Sequence, residues 1–101
     1  MSTRPRATRT TSLDAPITIP STVLSQALEG ETVLLNLDTG TYFGLNPLGT
    51  RIWQLLSAGH PPRRIVGHLV EEYEVEESKA SCDLLALLNQ LKEHGLLTDG
   101  P

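Results

Sequence analysis

The sequence predicts an α+β fold in which short antiparallel strands precede three helices, and three observations carry that reading. Two β-prone runs, Glu31 to Leu37 and Thr41 to Leu45, flank Asp38-Thr39-Gly40. Beyond Asn46 the apolar spacing changes from two to three and four, and it holds that period in three successive segments. The 101 residues, 39% hydrophobic and 20% charged, suit one small core, and they exclude both a disordered chain and a membrane span.

Residues 1–14 are rich in Ser, Thr, Arg and Pro without periodicity and are expected to form a flexible basic arm ahead of a domain over residues 15–97. Ile17-Thr18-Ile19 alternates before Pro20, which reads as a short edge strand because proline cannot continue a central ladder. The next two runs make a hairpin. Asp38 can bond local amides and Gly40 can adopt positive φ, so a three-residue type I turn with a G1 bulge is expected between them.

Asn46 is a good N-cap and Pro47 fits the first turn of a helix that carries Leu48, Ile52, Leu55 and Leu56 to about Ser57. Gly59 ends it, and Pro61-Pro62 opens a second helix with Ile65, Val66, Leu69, Val70 and Tyr73 on one side. Val75 is placed as a staple before a third helix starting between Glu76 and Ser78 and capped by Gly95. Leu96 and Leu97 fold back on the core, and residues 98–101 are expected to fray into a disordered C-terminus. A hairpin and three helices on one core make a small winged helix-turn-helix-like domain.

Composition narrows the chemistry. The N-terminus has basic residues but no apolar stretch behind them, and no run approaches a membrane span, so the chain is expected in the cytoplasm. Its single cysteine, Cys82, can form no internal disulfide and reads as a small buried hydrophobe. His60, His68 and His94 share no ligand spacing with each other or with Cys82, so no metal or cofactor is expected. Gly40, Gly44 and Gly49 sit in turn, strand and helix start rather than in a phosphate loop, and the Glu71 to Glu77 run reads as a solvated face. No enzyme motif is present.

The formal charge of -4 disfavours nucleic acid, and Glu76 and Glu77 open the helix that would read DNA. A winged-helix DNA-binding regulator acting through Arg51, Arg63, Arg64 and the basic arm stays open as the alternative. The third helix points elsewhere, because Leu84, Leu85, Leu87, Leu88 and Leu91 cover an arc of about 160°, wider than one core face needs. One stripe, Ala80, Asp83, Leu84, Leu87 and Leu91, and its neighbour, Ser81, Leu85, Leu88 and Lys92, divide that arc between core and groove, unless the first two helices bury all of it. Beside it, Thr41 to Leu45 forms an edge without protective Lys or Pro, the arrangement that strand addition by an extended peptide requires.

The run VLLNLDTGTYFGLNPLGTRIWQLLSAG, then EEYEVEE and DLLALLNQLKEHGLL, resembles the PqqD family of peptide chaperones from Glu31 to Leu97. The hairpin LDTGTYFGLNP, Trp53, the Tyr73 and Val75 pair and the terminal Gly95-Leu96-Leu97 carry the likeness. The resemblance implies a non-catalytic RiPP recognition element that binds the leader region of a ribosomally made precursor peptide. The leader would add to the third strand at Thr41, Tyr42, Phe43, Gly44 and Leu45 and pack against Ala80, Asp83, Leu84 and Leu87. Leu34, Leu48, Ile52, Trp53 and Leu91 fall at core positions by the same comparison. A discrete chain of this kind would serve a separate leader peptidase and cyclase in a split lasso-peptide pathway, or a radical SAM enzyme; the long Arg/Thr-rich N-terminal extension favours the lasso type. On this reading Leu84→Glu and Leu87→Glu remove binding and leave the fold intact.

Overall fold

The computed structural model describes Leu13 and residues 17–99, in the order β1 (Ile17–Thr18), β2 (Val23–Leu28), β3 (Glu31–Asn36), β4 (Thr41–Leu45), α1 (Pro47–Ser57), α2 (Pro62–Tyr73), α3 (Glu77–Glu93) and β5 (Thr98–Asp99). The expected arm lies outside the described residues except for Leu13, which packs against the core. Strands β2, β3 and β4 form an antiparallel sheet in that order, and β1 pairs with β5 as a separate two-stranded piece.

Strand β2 is absent from the sequence reading. Its run VLSQAL shows weak alternation, yet Glu29 and Gly30 join it to β3 with φ of 48° and 86°, the positive pair that a two-residue type I′ hairpin needs. Between β3 and β4 the register pairs Asn36 with Thr41, so the loop is the four residues 37–40 and not a three-residue turn. The Asn36 side chain causes the difference. Its Oδ1 accepts from the Asp38 N–H at 2.8 Å, while its backbone carbonyl accepts from the Gly40 N–H at 2.7 Å. Asn36 thereby takes the local capping role expected of Asp38, and Leu37 is left 57% exposed in the loop.

The helices start and stop where their caps dictate. Asn46 Oδ1 accepts from the Gly49 N–H at 2.8 Å, with Pro47 next in the first turn. Helix α1 ends in a Schellman motif: the Gly59 and His60 amides return to Leu56 and Leu55, and Gly59 has a φ of 96°. Helix α3 repeats the device, with the Gly95 and Leu96 amides bonded to Lys92 and Leu91 and with Leu91 and Leu96 both fully buried. Between them, α2 stops at Glu74 in the left-handed region.

The helices cover one face of the sheet, where Thr32, Leu34 and Asn36 of β3 turn inward. Leu34, Ile52, Ile65, Leu69, Leu84, Leu88, Leu91 and Leu96 form the centre of the core, and Trp53 is also buried. Helices α1 and α2 are tied at the surface by a bidentate pair, Arg51 Nε to Glu72 Oε1 at 2.9 Å and Nη2 to Oε2 at 2.7 Å. This commits one of the arginines considered for DNA to an internal partner.

Two expectations need correction. Thr98 and Asp99 do not fray: burial of Leu96 and Leu97 carries the chain across the core to meet Ile17, and Lys92 pairs with Asp99. Cys82 is exposed, because it lies two residues, about 200°, around the helix from buried Ala80.

Asn36 Nδ2 donates to the Gly95 carbonyl at 2.7 Å from a side chain only 5% exposed. Asn36→Ala leaves that acceptor unmatched, and urea unfolding is expected to show a loss of about 1–3 kcal/mol. The Arg51 hydrogen bond holds the Glu72 carboxyl below its ordinary range. Its stabilisation is therefore present above the unfolded-state value and is lost as pH falls through the lowered folded-state value. Urea midpoints between pH 6 and pH 3, to the nearest unit about the carboxylate range, are expected to fall less steeply for Glu72→Gln than for the parent.

Candidate functional site

In the sheet order β2-β3-β4, strand β4 bonds β3 on one side, and among the described residues no strand pairs with the other. Every second backbone N–H and C=O of β4 therefore faces outward from the sheet edge. The side chains alternate across the strand: Phe43 and Leu45 turn toward the helices, and Tyr42, 70% exposed, and Gly44 turn to the outer face.

Beneath the inner side of this edge lies a groove of ≈ 330 Å³. Phe43 and Leu45 form one wall, Leu48 and Ile52 of α1 the floor, and Asp83, Ala86, Leu87 and Gln90 of α3 the other wall. Near its end the Phe43 ring meets the His94 ring at 5.1 Å and 47°. Asp83 is held at the rim by Lys79, 3.1 Å away and one helical turn earlier.

The structure thus brings together in the groove five of the nine expected residues, Phe43, Gly44 and Leu45 on the strand with Asp83 and Leu87 on the helix, while Thr41 and Tyr42 share the open edge without lining it. It separates Ala80 and Leu84, which are 2% and 0% exposed and belong to the core. Neither of the two stripes read on α3 is the real division. The core takes Ala80, Leu84, Leu88 and Leu91, drawn from both, and the groove takes the adjacent row. That row, Asp83, Ala86, Leu87 and Gln90, is spaced by three and four with polar ends, which is the signal a groove wall leaves beside a wholly apolar stripe. Leu48, assigned to the core from sequence, is only half-buried and lines the groove because it stands in the first exposed turn after Asn46.

The histidines gather no chemistry of their own. His60 and His68 meet edge to face at 4.9 Å, and among the described residues no three His, Cys, Asp or Glu side chains are placed to hold a metal ion. No described helix is long and apolar enough to cross a membrane.

Fold and site together define a helix-covered three-stranded module whose last sheet strand keeps an open edge above an apolar groove. The chain belongs to the PqqD family: the family model described as coenzyme PQQ synthesis protein D matches residues 31–97. Among solved structures it resembles TbiB1 in complex with the TbiA(beta) leader peptide, with 41% identity and a TM-score of 0.78 over 82% of this chain and 96% of that one. It also resembles a lasso peptide synthetase B1 complexed with its leader peptide, with 33% identity and a TM-score of 0.76 over 83% of this chain and 99% of the other. No curated protein matches the chain.

The burial difference on α3 has a direct test. Leu84→Glu puts an unpaired carboxylate into a fully enclosed site and is expected to abolish the cooperative thermal transition. Leu87→Glu, at the groove wall, is expected to retain both the transition and the helical circular dichroism.

Proposed function

We propose that this chain is a non-catalytic recognition protein of the cytoplasm that captures the leader region of a ribosomally made precursor peptide. The leader adds as an antiparallel strand to Thr41 to Leu45, sets alternate side chains into the groove against Asp83 and Leu87, and is delivered to a separate leader peptidase of a lasso-peptide pathway. The observation that carries this is the open β4 edge directly above an apolar groove. Support comes from a 41% identical neighbour solved with a leader peptide.

The energetics require both parts of the site. Each main-chain hydrogen bond nets only about 0.5–1.5 kcal/mol, so the edge of a short strand gives affinity for any extended chain, and the groove must supply selection. Phe43, Leu45, Leu48 and Leu87 offer the apolar surface for that. A radical SAM partner, the other pathway consistent with the family, is the second reading, since the family's description concerns coenzyme PQQ synthesis. The lasso assignment is preferred because one structural neighbour is a lasso peptide synthetase B1 and both neighbours are complexes with leader peptides.

Fluorescence polarisation with labelled TbiA(beta) leader peptide, a radical SAM-type leader and a DNA duplex tests the reading. Saturable binding of the lasso-type leader is expected, weakened at least about tenfold by Leu87→Glu. Hydrogen exchange is expected to show new protection at alternate β4 amides on peptide binding. Silence from both leaders with salt-sensitive duplex binding would instead return the DNA-binding alternative.

A further inference from the structure

Gly44 has no internal reason to be glycine. Its φ is not in the left-handed region, and a Cβ built on it meets no atom within 4 Å. Glycine in a strand interior packs nothing and lowers strand propensity, and it marks a bulge, a tight bend or a place where a ligand or another backbone comes close; the unbroken register of β3 with β4 leaves the last of these. On the outer face of the sheet, opposite the groove, its missing side chain leaves a recess of ≈ 250 Å³. Val33, the register partner of Gly44, and the half-exposed Leu28 give it an apolar lining. Gly44, Leu45 and Asn46 border both this recess and the inner groove, so the two depressions flank the same end of the β4 edge.

We infer that Gly44 is a specificity-determining residue: the bound peptide lays one large apolar side chain over it, into the outer recess and onto Val33. The inference rests on the leader-capture reading and extends it from one face of the added strand to both. A strand paired with β4 must send alternate side chains to opposite faces, so those not entering the groove emerge beside Tyr42 and Gly44. Tyr42 fills its own position, whereas Gly44 leaves a place open. The ligand is thus an extended segment with apolar residues of both parities, one set for the groove and one large residue for the recess.

The test is a coupling experiment with labelled TbiA(beta) leader peptide and its single-alanine variants, titrated into the parent, Gly44→Ala and Gly44→Phe. Gly44→Phe fills the recess from within the chain and is expected to keep the thermal transition while weakening the peptide about tenfold. Gly44→Ala, which takes up a smaller part of the recess, is expected to weaken the peptide less than Gly44→Phe does. One outward-facing apolar position of the peptide is expected to matter for the parent and to lose its sensitivity to alanine in Gly44→Phe, while groove-facing positions keep theirs. Equal binding by parent and Gly44→Phe would overturn the inference and leave leader capture standing. So would a loss that couples to no single peptide position, which would assign Gly44 to backbone approach alone. No binding by the parent itself would remove the underlying reading.

Discussion

The site depends on one buried amide. Asn36 ends β3, organises the loop into β4 through its Oδ1, and reaches with Nδ2 to the carbonyl of Gly95 at the end of α3. Strand edge and helix are the two walls of the groove, and this bond joins them across 59 positions of sequence. The fit is close on both sides. A Cβ at Gly95 would sit 3.0 Å from Asn36 Nδ2, and the Schellman turn already demands a positive φ there. One glycine therefore serves the helix terminus and the inter-element contact at once.

The rest of α3 is held as firmly. Ala80, Leu84, Leu88 and Leu91 lock one face into the core, so Asp83 and Leu87 need no ordering when a ligand arrives. The facing wall is fixed in a different way, by the sheet register and by the Asn46 cap that sets the first turn of α1 directly after β4. A small core with no disulfide thus presents a preorganised groove because its most buried residues stand next in sequence to those that line it.

Much of this was legible in the residues. Asn46-Pro47, Pro61-Pro62 and Gly95 are punctuation with a physical mechanism, and the helices begin and end at them. The β3 and β4 runs were equally clear, and the chain segment carrying the family likeness coincides with the matched span. Strand β2 escaped because Ser25, Gln26 and Ala27 are exposed and break the alternation, leaving Glu29-Gly30 as the only cue. The division of α3 escaped for another reason. Five leucines spread over a wide arc give a shallow preference for any one direction, and tertiary packing, with α2 the main neighbour of α3, decides which of Leu84 and Leu87 is enclosed. Cys82 and Leu48 show the same limit, since neither residue type states which way its helix is turned.

The pairing of β1 with β5 joins the first and last strands among the described residues. Ile17 to Ile19 lie against the end of α1, around Leu56 and Gly59, whereas the groove lies against its beginning, around Leu48 and Ile52. Leu48 and Leu56 stand about 12 Å apart along the helix. Ile17 and Asp99, partners in that pair, therefore sit together at the end of α1 that is away from the groove. The contact that closes the described domain is thus set apart from the groove, and the two draw on different residues of α1.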